Sequence, residues 1–547
     1  MPRSCAMPEP LDEAPATDVP ASWWRDGVLY QIYPRSFGDS NGDGIGDLRG
    51  ITARLDHLEW LGVDGIWLNP TFPSPNDDWG YDVSDYVSVH PDLGTLEDLD
   101  ELIAEAGRRG IRVLLDLVPN HTSDRHAWFV DALSSRDARH RDFYVWADPA
   151  PDGGPPNNWI SNFGGSAWTL HEPTGQYYLN QFLPTQPDLN WWNEELREAI
   201  DDVLRFWFDR GVAGFRIDVC HAIVKDRELR DDPEPEPGDH PHIVKRGLKQ
   251  VYSMNRPELH DVLRRWRALS AARDGDQPVL VGETYVLDLE QLIPFYGLGE
   301  DELHLAFNFL FFHCDLDPAQ MRPIVEGVER MLPEGAWPVW TGSNHDGKRL
   351  ATRWAGEDPA RTRAALLMLV GLRGTPFLYY GDEIGLPDTP LDPATALDPV
   401  AARLGDPEEN RDVCRTPMQW ADVPGGGFTL DGARPWLPFG DLAAYNVEAQ
   451  RRDPGSILHL VRDLIALRRS RGDLRAGAYE TLPAPEGAWA WKRGAGTAVA
   501  VNLGSDPVSV EGLVGRVLVG TDRSRDGSGV SGGLSLAPGE GVVMELA

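Results

Sequence analysis

The sequence predicts a (β/α)8 barrel with an inserted subdomain after its third strand and an antiparallel β domain at its C-terminus. From Val28 onward, short apolar runs alternate with helical periodicity, which is typical of βαβ units and a parallel sheet. Three acidic residues, Asp218, Glu283 and Asp346, follow such apolar runs. Active sites of this fold lie at the carboxyl ends of the strands. The 547 residues also exceed the roughly 250 of a barrel alone, so satellite domains are expected.

Eight apolar runs account for the predicted strands. They span residues 28–33, 65–68, 112–117, 213–217, 279–282, 306–309, 338–340 and 377–379. Helical periodicity between them is clearest in two stripes, which we expect to face the sheet. The first stripe is Ile51, Leu55, Leu58 and Leu61, and the second is Leu196, Ala199, Ile200, Val203, Leu204 and Trp207.

Uneven spacing between the strands predicts the domain organisation. Residues 121–190 are rich in aromatics, Gly, Asn and Pro and follow the third strand, so they should form a subdomain over the barrel mouth. The short Val-rich and Gly-rich runs of 473–547 predict the C-terminal β domain. The barrel itself is assigned to 21–120 and 191–472, and residues 1–20 to a disordered tail.

Charge and composition exclude several classes of partner. The net charge of −35 repels phosphate backbones and anionic membrane surfaces, so neither nucleic acid nor membrane is expected as a partner. The four cysteines, Cys5, Cys220, Cys314 and Cys414, are far apart and indicate neither a disulfide framework nor a zinc site. The N-terminus lacks an apolar secretory signal and no apolar run reaches 18 residues, so we expect a cytoplasmic protein.

Asp218 and Glu283 are the candidate catalytic pair. Retaining glycosidases hold two carboxyl groups about 5 Å apart, and neighbouring strands about 4.8 Å apart bring terminal side chains to that separation. Arg216 lies two residues before Asp218 on the same strand, so both side chains should point into the barrel mouth. Its guanidinium would keep Asp218 ionised, whereas Glu283 must stay protonated until bond cleavage.

Asp346, beside His345, is the third candidate. A further carboxylate facing the sugar can hold ring hydroxyls and oppose the positive charge of the transition state. An Asp at a strand end often caps the following helix instead. Three acids together with Arg216 and two histidines favour the catalytic interpretation.

Four segments resemble the signature regions of the α-amylase family of glycoside hydrolases. They are 116–121 (DLVPNH), 214–218 (GFRID), 282–283 (GE) and 344–346 (NHD). Four others are similar to the α-glucosidase and oligo-1,6-glucosidase branch, namely 186–190 (QPDLN), 255–258 (NRPE), 379–383 (YYGDE) and 414–420 (CRTPMQW). The resemblance extends from about Trp23 to the C-terminus.

This resemblance implies roles for the matching residues. Asp218 would be the nucleophile, Glu283 the acid/base and Asp346 the stabiliser of the transition state. Asp78 and Arg411 would form an ion pair that closes the pocket behind the non-reducing end. The residues implied in binding the terminal glucose are Asp78, Tyr81, His121, Phe163, Gln186, Arg216, His345 and Arg411.

A loop rich in Asp, Asn and Gly is a candidate metal site. Oxygen ligands at Asp39, Asn41, Asp43 and Asp47, with the backbone carbonyl of Ile45, follow the spacing of a calcium loop. Gly50 occupies the position of the bidentate Glu, so an EF-hand is excluded. The loop is either an ordinary turn or, as the resemblance implies, a structural site for calcium or magnesium. No organic cofactor is expected.

The predicted function is that of a retaining, exo-acting α-glucosidase that acts on short α-glucosides and also transfers glucose. One alternative is a disaccharide isomerase or glucosyltransferase of the same fold, isomerising trehalose or sucrose. Another is a catalytically silent, transporter-associated barrel. Val219 resembles the α-1,6-cleaving members, but Cys220-His221 departs from their usual continuation, so the choice between α-1,4 and α-1,6 linkages stays open.

Overall fold

A computed structural model of the chain describes residues 22–273, 275–298 and 301–547. The predicted tail, residues 1–20, and Cys5 within it lie outside these residues. Over the described ranges, no helix has both the length and the apolar character needed to cross a membrane.

The strands form three sheets. In chain order they are β1 Leu29–Ile32, β2 Gly65–Leu68, β3 Arg112–Leu117, β4 Trp146–Ala147, β5 Trp168–His171, β6 Gln176–Leu179, β7 Gly214–Ile217, β8 Val279–Gly282, β9 Leu305–Ala306, β10 Val339–Thr341, β11 Thr375–Tyr379, β12 Tyr479–Leu482, β13 Ala488–Arg493, β14 Thr497–Asn502, β15 Val508–Gly520, β16 Gly529–Leu536 and β17 Gly541–Leu546.

Eight of these strands build the barrel, in the order β10-β11-β1-β2-β3-β7-β8-β9, with every neighbouring pair parallel. The (β/α)8 prediction is therefore confirmed. Gly214 opens β7 at φ +151°, where a Cβ would lie 2.1 Å from the carbonyl oxygen of Val279. Only glycine permits this close approach of β7 to β8, the two strands that precede Asp218 and Glu283.

The predicted sixth strand, 306–309, is wrong beyond Ala306. β9 ends at Ala306, and Phe309 begins a short helix. The side chain of Asn308 accepts the backbone N–H of Phe311 and so caps that helix. A short apolar run does not by itself distinguish strand from buried helix, and here the cap decides for helix.

The helices lie between and after the strands. They are α1 Trp23–Asp26, α2 Leu48–Thr52, α3 Leu55–Leu61, α4 Leu96–Arg108, α5 Ala127–Ser134, α6 Glu194–Asp209, α7 Pro241–Arg246, α8 Leu259–Ala271, α9 Leu289–Leu292, α10 Phe309–His313, α11 Pro318–Met331, α12 Leu350–Arg353, α13 Pro359–Gly371, α14 Pro399–Leu404, α15 Val447–Arg452, α16 Ile457–Ser470 and α17 Gly472–Ala476. The stripe predicted for 196–207 lies on α6, where all its members are buried except the half-buried Ala199. The stripe predicted for 51–61 is buried too, but it is shared between α2 and α3.

The two additions to the barrel pack against different parts of it. The segment between β3 and β7 contains the small antiparallel sheet β4-β6-β5 and supplies Phe163 and Phe182 to the cavity at the barrel mouth. The C-terminal strands form a six-stranded antiparallel sheet in the order β12-β13-β14-β17-β15-β16. Trp491 and Arg493 of β13 donate hydrogen bonds to the carbonyl oxygen of Gly371, at the end of α13.

Candidate active site

A cavity of about 380 Å³ opens where the barrel strands end, and Asp218, Glu283 and Asp346 all line it. Two groups of lining residues make separate contacts: Asp78 pairs with Arg411, whereas Tyr285 lies near Arg246 and has its ring centroid 5.4 Å from that of His313. We take these two groups as the two ends of the cavity. The three acids come from the segments after β7, β8 and β10, so strands far apart in the sequence deliver them to one place.

Strand register brings Asp218 and Glu283 side by side. Ile217 of β7 pairs with Gly282 of β8, so the next residue on each strand is one of the two acids. The Arg216 guanidinium bridges them, with Nη1 2.8 Å from Asp218 Oδ1 and Nη2 2.6 Å from Glu283 Oε2. Both carboxyl groups therefore lie within the span of one guanidinium, the closeness that double displacement requires.

Each of these two carboxyl groups is held by one oxygen and has a second oxygen without a hydrogen-bond partner among the described residues. Asp218 is bound through Oδ1. Glu283 is bound through Oε2, which also accepts the backbone N–H of Val219 at 2.8 Å. Asp218 Oδ2 is thereby available for attack and Glu283 Oε1 for proton transfer.

Val219 makes this contact from a strained backbone. Its φ of 33° and ψ of 44° place a β-branched residue in the left-handed region, which costs about 1–2 kcal/mol. The conformation directs the Val219 N–H at the Glu283 carboxylate. Strain is thus stored beside the nucleophile, in the residue that helps to orient the acid/base.

A third acid shares Arg216. Asp116 of β3 accepts from Arg216 Nη1 at 2.8 Å and from the Tyr81 hydroxyl at 2.9 Å. Burial, only partly offset by Arg216, raises the pKa of Asp116 to about 6 and raises that of Asp218 well above its ordinary value. Asp116 and Asp218, which share one guanidinium, therefore retain a proton more readily than isolated acids.

Asp346 is held differently, by both oxygens. Oδ1 lies 3.0 Å from Arg411 Nη1 and 2.9 Å from Arg415 Nη2, and Oδ2 lies 3.0 Å from His345 Nε2. Although burial would raise the pKa of Asp346, these three partners hold it well below its ordinary value. Burial in turn lowers the pKa of His345 to about 4. Asp346 is thus a permanent negative charge facing the cavity.

One end of the cavity is closed by a buried ion pair. Arg411 Nη2 lies 2.8 Å from Asp78 Oδ1, and the Phe163 ring packs with its centroid 5.3 Å from the guanidinium carbon. Asp398 anchors the same guanidinium, with Nη2 2.7 Å from Oδ1 and Nε 3.0 Å from Oδ2. Against the cost of burial, Arg411 lowers the pKa of Asp398 to about 2. Arg411 is therefore fixed by three carboxylates, which gives this end a rigid wall.

The structure brings the sugar-binding residues implied by the sequence together, but in two layers. Asp78, Tyr81, His121, Phe163 and Arg411 line the cavity. Three others do not line it and lie behind those that do: Arg216 behind the acids, His345 against the Tyr81 ring, and Gln186 behind Asp78 and His121. These three position their neighbours, and their contact with the sugar stays a prediction.

Three functional side chains escaped the sequence analysis as site residues. Asp116 and Arg415 lie inside motifs that were recognised, and their charge was the available signal. Asp398 lies outside every motif, and no local pattern marks it.

The candidate metal loop forms a turn held by its own side chains. Asp39 accepts backbone N–H groups of Asn41, Gly42 and Gly44, and the Asn41 amide donates to Asp43 Oδ2 at 3.0 Å. Asp47 caps α2, so it is not placed as a free ligand.

Within the described ranges, no group of three or more His, Cys, Asp or Glu side chains is arranged to bind a metal. A cation here would depend on Asp39, Asn41 and Asp43 together with the Ile45 carbonyl, and the calcium site stays a prediction.

Comparisons with known proteins agree with this geometry. The family model for the α-amylase catalytic domain matches residues 31–477. A probable α-glucosidase of Rhizobium meliloti is 45% identical over 475 residues, covering 84% of each chain. An oligo-1,6-glucosidase of Heyndrickxia coagulans is 40% identical over 498 residues, covering 84% of this chain and 87% of its own. The crystal structure of the α-glucosyl transfer enzyme XgtA has a TM-score of 0.89 at 39% identity, covering 96% of this chain and all of its own.

Proposed function

This chain belongs to the α-amylase family of glycoside hydrolases, and we propose that it is a retaining α-glucosidase that releases terminal glucose from the non-reducing end of short α-glucosides. The observation that carries the proposal is the pair Asp218 and Glu283, each held by one oxygen to Arg216 while the other oxygen is available. The names of the relatives support the same activity.

The geometry assigns each acid a step. Asp218 Oδ2 attacks the anomeric carbon while Glu283 delivers a proton from Oε1 to the glycosidic oxygen, and the aglycone leaves. Glu283, now ionised, takes a proton from water, which attacks the glucosyl ester and restores Asp218. Asp346 opposes the positive charge that develops on the ring, since Arg411, Arg415 and His345 keep it ionised.

The closed end of the cavity supports exo action. Asp78 and Arg411 form a wall behind the terminal sugar, so one glucose unit fits beyond the cleavage point. An endo-acting enzyme needs a cleft that is open on both sides of the bond. A cavity of about 380 Å³ is suited to a disaccharide-sized ligand.

Transfer of glucose to a second sugar uses the same intermediate, with an acceptor hydroxyl in place of water. The similarity to an α-glucosyl transfer enzyme supports this as an accompanying activity. Similarity to an oligo-1,6-glucosidase, together with Val219 beside the nucleophile, supports cleavage of α-1,6 linkages in addition to others.

Product analysis tests the proposal. Incubation with p-nitrophenyl α-glucoside, whose only sugar is the glucose that is cleaved off, should show α-glucose as the first anomer released when followed by proton NMR. Sucrose and trehalose, incubated in parallel, report on rearrangement. Release of β-glucose would exclude double displacement. Conversion to a rearranged disaccharide with little free glucose would favour the isomerase instead.

We also propose a structural calcium or magnesium ion in the loop 39–47, supported by the adjacent Asn41 and Asp43 side chains and by Ile45, whose backbone N–H donates to Asp43 in the same turn. When bound, such an ion would stiffen this loop and leave the chemistry to the three acids. Calorimetry should then show a lower melting temperature after chelation and recovery on adding calcium, and identical curves would dismiss the site. A cytoplasmic location is supported by Cys220, Cys314 and Cys414, which are all free thiols.

A further inference from the structure

Two arginines line the open end of the cavity, and neither forms an ion pair with a carboxylate among the described residues. Arg246, the last residue of α7, lines the cavity and is half-buried. Its guanidinium has no hydrogen bond, ion pair or ring contact among the described residues, and burial lowers its pKa. Arg353 also lines the cavity, and within the described part of the chain its guanidinium nitrogens donate to the backbone carbonyls of Phe312, Gly342 and Lys348. Asp388 acts on this guanidinium at longer range.

The acidic residues nearby already have partners. Glu408 and Glu409 line the same end of the cavity, but Glu408 lies 2.6 Å from Lys348 Nζ and Glu409 lies 2.5 Å from Lys245 Nζ. Glu283 is paired with Arg216. A chain of net charge −35 thus presents a locally cationic surface at this end of the cavity.

This charge lies on the aglycone side of the bond that is cut. Glu283 protonates the leaving oxygen, and Tyr285, two residues later, lies close enough to Arg246 for the guanidinium to lower its pKa against the larger effect of burial. The glucose side is the opposite end, closed by Asp78 and Arg411. A substrate group that contacts Arg246 therefore belongs to the leaving group or to the acceptor.

A half-buried guanidinium without a partner is costly, and an anionic ligand would satisfy it. The planar fork of arginine binds carboxylate and phosphate groups by two parallel hydrogen bonds. Neutral hydroxyls also accept such bonds, but they leave the charge uncompensated.

We propose that Arg246, backed by the field of Arg353, makes the enzyme prefer α-glucosides whose aglycone carries an anionic group, a carboxylate or a phosphate. The inference rests on the proposed α-glucosidase function and deepens it by naming the substrate class.

Matched pairs of substrates test this preference. Maltobionate differs from maltitol in carrying a carboxylate in place of one terminal hydroxymethyl group of the open-chain aglycone, and trehalose 6-phosphate differs from trehalose by a phosphate. The wild-type enzyme should show a kcat/KM at least about tenfold higher for one anionic member than for its neutral partner, as a charge-assisted contact of roughly 1.5 kcal/mol implies. Which pair responds distinguishes a carboxylate from a phosphate. The preference should shrink as sodium chloride is added.

Single substitutions test whether Arg246 causes the preference for anionic aglycones. Arg246→Met should reduce the anionic-to-neutral ratio by about tenfold, and Arg246→Glu should invert it. Lys249→Met is the matched control, because Lys249 is a cation three residues after Arg246 that does not line the cavity and is paired with Asp239, which does not line it either. That variant should keep the wild-type ratio.

Two results would overturn the inference: a wild-type enzyme that prefers the neutral member of both pairs, or a ratio that Arg246→Met and Arg246→Glu leave unchanged. Hydrolysis of neutral p-nitrophenyl α-glucoside separates this failure from that of the proposed function. If the wild-type enzyme cleaves it but shows no anionic preference, only the present inference falls. If it cleaves no α-glucoside at all, both fall.

Discussion

The two ends of the cavity differ in how far their charged side chains are buried and paired. At the glucose end, Arg411 is buried and bound to three carboxylates, and the side chain of one of them, Asp398, has 0% exposure. Arg415 is buried as well and is bound to Asp346. At the aglycone end, ion pairs such as Lys348 with Glu408 stand in solvent, with side chains 43% and 79% exposed. Buried pairs are weakly screened and rigid, whereas exposed pairs contribute little. The side chains that bind glucose should therefore be held rigidly, whereas those that bind the aglycone should be able to adjust their positions.

The three acids also differ in how many of their carboxylate oxygens are held by neighbouring side chains. Asp346 is tied on both oxygens, because it supplies charge and has no bond to form. Asp218 and Glu283 are each tied on one oxygen, because the other must react. The number of contacts to each acid thus reflects its role.

The largest loss of activity is expected when the attacking carboxylate oxygen of Asp218 is replaced. Asp218→Asn replaces the nucleophile with a near-isosteric amide, so cleavage of p-nitrophenyl α-glucoside should fall by at least about 10⁴-fold. Circular dichroism and the melting curve should stay close to those of the wild type. Substantial remaining turnover would remove Asp218 from its role and with it the double-displacement mechanism.

The next effect should come from the wall behind the glucose. Asp78→Asn leaves Arg411 with one fewer carboxylate and removes a cavity-lining charge, so kcat/KM for maltose should fall by about 10²–10³-fold. Glu408→Gln is the matched control at the aglycone end, and its loss should be at most about fivefold. Equal losses in the two variants would contradict the contrast between the two ends.

A smaller loss of activity is expected from a change at Asp398, which contacts Arg411 but does not line the cavity. Asp398→Asn weakens the anchor of Arg411 without touching the cavity, since Asp78 and Asp346 still hold the guanidinium. KM should rise about tenfold with a smaller change in kcat, and unfolding should become easier by about 1–3 kcal/mol. Asp398→Glu should recover part of the KM loss. A purely structural role would lower stability while leaving KM unchanged.

The decrease of kcat/KM at acid pH tests whether Asp116 and Asp218 influence each other's protonation. Burial raises the pKa of Asp116 to about 6, and burial, together with the charge of Asp116, raises the pKa of Asp218. Since the nucleophile must be ionised, kcat/KM should fall on the acid side of the profile at a higher pH than an ordinary aspartate would give. Asp116→Asn removes one negative charge from the cluster and should move this fall in kcat/KM to lower pH. An unchanged profile would show that Asp116 and Asp218 titrate independently.

The smallest effect should come from an exposed pair at the aglycone end. Lys348→Met removes the partner of Glu408, and urea unfolding should show a change within about 0.5 kcal/mol, because both side chains are well solvated. A loss of several kcal/mol would show that this end is as tightly built as the other.

Much of the fold and of the catalytic centre follows from local sequence. The strands that end before Asp218 and Glu283 are short apolar runs, and the acids directly follow them, so the barrel and its reactive pair can be predicted together. The sixth strand was misjudged past Ala306 because an apolar run of that length fits strand and helix equally, and the Asn308 cap decides it.

The sequence by itself determined that this protein is a barrel with three acids at its mouth, because strand pattern and motif are properties of adjacent residues. Only the tertiary structure decided that Asp398 anchors Arg411, that Arg216, His345 and Gln186 stand behind the cavity wall, and that Arg246 faces the cavity without a carboxylate. Those relations join loops far apart in the chain, and their energies depend on distance and burial, which no local pattern encodes.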